Sequence, residues 1–259
     1  MKIIGIDPAP LKKNVLFDGE VFRSLSVEAL KQYLDGIGED VLICWDSPLN
    51  RGTNNGYGGF HTRRIERFLQ SRITGIPKGI ETSGYAECTQ WTVSQYCLGY
   101  PIANEAYVKT DGYKFRLLES GACPLSGQYV VETQPGVSLW LLLRDRIRSV
   151  EWRYKGKKGN RELNQEIVNK LFRMPFFSGA LKPVKQKLEE EYRLTYDPFP
   201  LNTQIMESGM LDAFVAWLTG FMYQEGSGKA KLLGDHRSGS ILLAYDKDFF
   251  TAYDNYLVG

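Results

Sequence analysis

Lys2-Ile3-Ile4-Gly5-Ile6-Asp7, read with the segment that follows as far as Leu25, decides how this chain folds. The first run is short, nearly continuous in apolar side chains and rich in isoleucine, which predicts a buried strand. Asn14–Phe17 and Glu20–Leu25 flank Asp18-Gly19, and a DG pair between two apolar runs is a strong hairpin signal. Ser26 then stands where an N-cap belongs, ahead of a helix to about Gly36 with Val27, Leu30 and Leu34 on one face. Asp40–Trp45 is a second buried strand, ended by Asp46-Ser47-Pro48.

Outward from this block the pattern changes. Asn50–Phe60 is rich in Gly and Asn and reads as a loop. His61–Arg72 is basic and helical in pattern, and another helix is expected near Tyr85–Tyr96. Gln128–Thr133 forms a third buried strand, stopped by Pro135, with a helix to follow over about Gly136–Ile147. Residues 150–200 read as helices joined by basic and proline-containing loops. Thr203–Tyr223 is a strongly apolar helix, Ser240–Ala244 a strand and Lys247–Tyr256 a short helix. Hairpin, helix, strand, helices, strand, helix predicts an α/β fold: a mixed central sheet with helices on both faces. We read residues 1–259 as one domain with a helical and loop insertion at about 50–127.

The bulk composition narrows the function classes. An apolar content of 43% suits a globular chain with a sizeable core. Thirty-two basic against 30 acidic side chains leave a net charge of +2, so any nucleic-acid binding needs a local basic patch. Cys44, Cys88, Cys97 and Cys123 show no C-x-x-C spacing, and His61 and His236 are the two histidines. That argues against structural zinc and against a disulfide framework. No apolar stretch reaches the length of a membrane span, and Asp7 with two prolines interrupts any leader-like run at the start. The expected location is cytoplasmic, with no membrane partner.

Three apolar strands each end in a carboxylate: Asp7, Asp46 and Glu132. In open α/β sheets the C-terminal strand edge is where ligands bind. A fourth acid, Asp212, is the single charge in Ser208-Gly209-Met210-Leu211-Asp212-Ala213-Phe214-Val215-Ala216-Trp217, where an ionised carboxylate is costly unless paired, bonded or metal-bound. Each has a mundane reading: a turn at Asp7-Pro8, an Asx-turn at Asp46-Ser47-Pro48, an arginine partner for Glu132, a helix N-terminus for Asp212. Together they predict one acidic site. Hard oxygen ligands with little histidine select Mg²⁺ or Mn²⁺.

At these four segments the chain resembles an uncharacterised prokaryotic family of predicted RNase H-like nucleases, related to the RuvC and YqgF resolvases. The blocks are Gly5-Ile6-Asp7, Asp46-Ser47-Pro48-Leu49, Glu132-Thr133-Gln134-Pro135 and Leu211-Asp212-Ala213, with Arg63 and Arg64 after the Gly-rich loop. Gly136 departs from the pattern, which has an acidic residue there. The resemblance implies an RNase H-like fold and a metal-dependent site cleaving phosphodiesters in nucleic acid of unspecified type. Asp7, Asp46, Glu132 and Asp212 would be its catalytic and metal-binding residues, with Arg63 and Arg64 steadying substrate phosphate.

Other readings compete. A non-catalytic nucleic-acid- or protein-binding module of the same fold shares most of these features. An ATP-handling enzyme is disfavoured because Pro8 and Pro10 lack the backbone donors a phosphate cradle needs after the first aspartate. Gly226–Lys229 imitates a phosphate loop, but the earlier glycine is missing and Ala230 stands where Ser or Thr is required.

Overall fold

The computed structural model describes residues 1–9, 13–49, 63–80, 82, 88–99, 112–118, 126–154, 161–191, 209–226, 228–235 and 239–258. Strands β1 (Lys2–Asp7), β2 (Asn14–Phe17) and β3 (Phe22–Leu25) form an antiparallel meander. The Asp18 carboxylate accepts the backbone N–H groups of Glu20 and Val21, closing the β2–β3 turn. Helix α1 (Val27–Asp35) starts at Ser26, whose hydroxyl accepts the Ala29 N–H at 3.2 Å.

β4 (Val41–Trp45) returns parallel to β1. Helices α2 (Arg64–Gln70) and α3 (Cys88–Leu98) and the short β5 (Arg116–Leu117) follow. β6 (Gln128–Glu132) is parallel to both β4 and β5. The sheet order is therefore β3-β2-β1-β4-β6-β5. The remaining elements are α4 (Pro135–Leu143), α5 (Arg161–Phe172), α6 (Lys182–Glu191) and α7 (Leu211–Gln224), the β7–β8 hairpin (Ala230–Asp235, Gly239–Ala244) and α8 (Lys247–Val258). β8 touches the main sheet through a bridge between Leu242 and Thr133.

Strand alternation sorts the core into two layers. Ile4, Ile6, Ile43, Trp45 and Val130 pack with Leu30 and Leu34 of α1 and Val93 and Cys97 of α3. Ile3, Leu42, Cys44 and Val131 face the other way, onto α4, α5 and α7. Two glycines let α7 lie flush on the second face. A Cβ at Gly5 would overlap the Ala213 carbonyl, and one at Gly220 would overlap the Cys44 sulfur.

The mixed sheet with helices on both faces agrees with the expectation. The differences are local. α4 starts at Pro135, the favoured first helical position, and gives way to a turn at Arg144–Arg146. The basic helix stops at Gln70 and continues as a single tight turn over Arg72–Thr74. The apolar helix is described from Leu211, so the expected start at Thr203 lies outside the described residues. β7 was not foreseen, because Ala-Lys-Leu-Leu-Gly-Asp has no β-branched residue. Parts of the expected insertion, α2, α3 and β5, pack into the faces and edge of the main sheet. No described helix is long and apolar enough to cross a membrane.

Candidate functional site

β1 and β4 run parallel with Gly5 beside Cys44 and Ile6 beside Trp45. The ladder extends one step, since Asp46 N–H donates to the Ile6 carbonyl at 2.9 Å. Asp7 and Asp46 thus end neighbouring strands side by side. By alternation both share the face of Gly5 and Cys44, which is the face α7 covers. Because Ala213 of α7 lies against Gly5, the preceding residue, Asp212, is delivered to the same edge. Each of the three acids offers a carboxylate oxygen within 4.8 Å of the other two. Asp212 is buried, while Asp7 and Asp46 are partly exposed.

Two further residues shape this corner. The buried Tyr154 phenol donates to Asp212 Oδ1 at 2.8 Å, fixing one oxygen of the helix carboxylate. Tyr154 is itself held by the Asn164 amide on its carbonyl and, nearby, by Trp152 N–H bonding to Lys78. Gly209, just before α7, has φ +98°, and a Cβ there would collide with the Asp7 carboxylate. Neither residue was singled out from sequence. Gly209 had a signal in hindsight, a glycine three residues before the buried acid; Tyr154 had none.

Three carboxylates this close are electrostatically expensive. At 4.8 Å a pair of unit charges repels by about 3.5 kcal/mol at an effective dielectric near 20. The Tyr154 phenol bond, worth roughly 1.5–3 kcal/mol to a charged group, offsets part of one such pair. A divalent cation between them would add attractions that outweigh this repulsion, and an all-carboxylate oxygen set fits Mg²⁺ or Mn²⁺.

Glu132 is placed elsewhere. It lies in register with Trp45, one step short of Asp46, so alternation gives it the opposite sheet face. Its carboxylate grips Arg63 through both guanidinium ends, Arg63 Nη1 to Oε2 at 2.7 Å and Arg63 Nη2 to Oε1. Oε2 also accepts the Leu49 N–H at 3.1 Å. Arg63 in turn holds Glu66, with Nε and Nη2 donating to Oε1 at 2.9 and 2.7 Å. Glu66 Oε2 accepts the Arg63 backbone N–H at 2.6 Å, capping α2. Arg63 is 1% exposed and Glu66 and Glu132 are equally enclosed. Burial alone would lower the Arg63 pKa, but the two carboxylates outweigh it and hold the guanidinium charged. Burial also pushes the Glu132 carboxyl above its usual range, with Arg63 pulling the other way.

The expected roles of Glu132 as a metal ligand and Arg63 as a phosphate contact therefore differ from what the structure places there, an internal ion-pair cluster. Through Leu49 it pins the segment that leaves Asp46. Arg64 is partly exposed and donates from Nη2 to the Leu257 carbonyl at 2.7 Å, at the C-terminal end of α8.

The position one step past Glu132 belongs to Thr133. Its N–H donates to the Trp45 carbonyl at 2.8 Å, and alternation returns its side chain to the α7 face. Its hydroxyl is buried with no hydrogen-bond partner among the described residues, as is that of Ser47 next to Asp46. Compared with protein-family models, with curated proteins and with solved structures, the chain matches none.

Proposed function

We propose that the chain is a metal-dependent nuclease of RNase H-like fold, acting on nucleic acid through Asp7, Asp46 and Asp212. The observation that carries this reading is the convergence of those three carboxylates within 4.8 Å at the C-terminal edge of β1 and β4. The antiparallel meander continued by parallel strands supports the fold assignment. The three acids would hold Mg²⁺ or Mn²⁺, and such an ion, when bound, activates water and stabilises charge on the oxygens of a phosphoryl displacement.

The protein's own contribution is positional. Tyr154 holds Asp212 in one orientation, Gly209 leaves room for the Asp7 carboxylate, and the Arg63–Glu132 pair fixes the backbone after Asp46. Rigid supports of this kind keep ligands in productive geometry. Glu132 and Arg63 support the site without touching the ion or the substrate.

The test is Asp7→Asn assayed on DNA, RNA and hybrid substrates with Mn²⁺. Cleavage should fall to background with the fold retained by circular dichroism. Cleavage that survives the substitution sinks the assignment, and salt-sensitive binding without any cleavage by the unaltered chain replaces it with a binding module.

A further inference from the structure

A cavity of about 650 Å³ lies between α2 and α8, lined by Arg64, Arg67, Ile73, Ala252, Asn255 and Tyr256. This is well within the size range of ligand sites. Its chemistry is two-sided. Arg64 and Arg67 stand three residues apart on α2, so they share one helix face. Among the described residues neither guanidinium lies within ion-pair distance of a carboxylate. The partners of Arg64 are the Tyr256 and Leu257 carbonyls, which carry only the partial charge of a helix end. Two like charges on one concave wall favour an anion between them. Ile73, in the turn just past α2, adds an apolar side chain that is 64% exposed, and the α8 wall is apolar and aromatic: Ala252 and the Tyr256 ring, which packs on Phe68 at 5.4 Å. Asn255 adds a donor and an acceptor to that side.

We propose that this groove is a subsite for an unpaired stretch of nucleic acid, with phosphate on Arg64 and Arg67 and a base or sugar against Tyr256 and Ile73. The inference rests on the nuclease reading for the polymer's identity and extends it to the substrate class. A phosphate alone needs no apolar wall, and a purely apolar ligand needs no arginine pair. A nucleotide has both halves. In a duplex the base faces are stacked away, so only a single strand offers a base to such a groove. The groove is joined to the strand edge at the start of α2, where Arg63, adjacent to Arg64, is bonded to Glu132, whose carboxylate also holds Leu49 in the segment after Asp46.

The experiment is fluorescence anisotropy with a labelled oligothymidylate of about 15 nucleotides, in EDTA, so that no cleavage intervenes. The unaltered chain should bind it, and a duplex of equal length should compete poorly. Arg67→Ala should weaken binding about tenfold and flatten the salt dependence by about one unit of slope, and Arg67→Glu should weaken it further. Arg67 is exposed, so both variants should fold. Should either lose its circular dichroism signal, Asn255→Ala, also expected to weaken binding, takes its place. Unchanged affinity in folded variants overturns the proposal, as does tighter Arg67-dependent binding of an acidic peptide than of the oligonucleotide. The two readings fail separately. Arg67-dependent binding without Mn²⁺-dependent cleavage removes the nuclease but keeps the groove; Asp7-dependent cleavage with Arg67-independent binding does the reverse.

Discussion

Replacing Arg63 by methionine should unfold the chain more easily at neutral pH than at acid pH. The guanidinium bridges Glu66 and Glu132, and all three side chains are enclosed. Methionine keeps the length of the side chain and removes its charge, leaving two carboxylates facing each other in a dry space. Breaking a buried pair by removing one partner costs about 3–5 kcal/mol. For a chain of this size each kcal/mol shifts the melting temperature by about 2–4 °C, so a fall of roughly 6–20 °C is expected near pH 8. The pH dependence follows from the direction of the Glu132 shift. Its folded-state carboxyl already titrates above the ordinary range, with burial outweighing Arg63. A group raised in this way stabilises the fold fully below its unfolded pKa, and that contribution is lost as pH rises through the folded value. Removing Arg63 takes away the opposing influence, raises Glu132 further and carries the loss to higher pH. The melting deficit of Arg63→Met should therefore shrink as pH falls from about 8 towards 5. Differential scanning calorimetry of both proteins across that range reads it directly. Glu132→Gln added to Arg63→Met should recover part of the deficit at the upper end. A deficit below about 2 °C, or one equal at both ends, refutes the buried-cluster argument.

Two other substitutions probe how the acids are assembled. Tyr154→Phe removes the donor to Asp212 Oδ1 while keeping the ring; it should cost about 1.5–3 kcal/mol in denaturant melts and raise the Mn²⁺ concentration at the midpoint of metal-induced thermal stabilisation. An unchanged midpoint means that Tyr154 does not orient the ligand. Gly5→Ala puts a methyl group into the Ala213 carbonyl and should destabilise the chain by about 3 kcal/mol or more, at the high end of overpacking costs; a stability within 0.5 kcal/mol of the unaltered chain would contradict the close α7 approach.

The fold was legible where a segment carries its own period. β1, β2, β3, α1, β4 and β6 each announce themselves by an apolar run with a turn or cap beside it, and their order then dictates a mixed sheet. β7 escaped because its strand character comes from pairing with β8 and not from its residues. α7 was visible as an apolar helix, but nothing local says that it crosses β1 at Gly5. That contact is between residues more than 200 positions apart, and it brings Asp212 to Asp7 and Asp46.

Glu132 shows how far a strand ending can mislead. Val41-Leu42-Ile43-Cys44-Trp45-Asp46 and Gln128-Tyr129-Val130-Val131-Glu132-Thr133 run beside each other, Trp45 against Glu132. The acid of β6 thus arrives one position earlier than the acid of β4. In a strand, one position is the difference between the two faces of the sheet. Sequence shows two apolar runs that each stop at a carboxylate. The offset appears only when the register is known, and the arginine that takes up Glu132 comes from 69 residues away. Once the offset is counted, the residue that follows Glu132 as Asp46 follows Trp45 is Thr133, a neutral hydroxyl with no partner among the described residues. The row on the α7 face then reads carboxylate, carboxylate, hydroxyl across β1, β4 and β6, and its third charge is supplied from above by Asp212. Moving the fourth acid to the other face also limits the repulsion at the corner to three charges, while its pairing with Arg63 and Leu49 holds the backbone on which Asp46 depends.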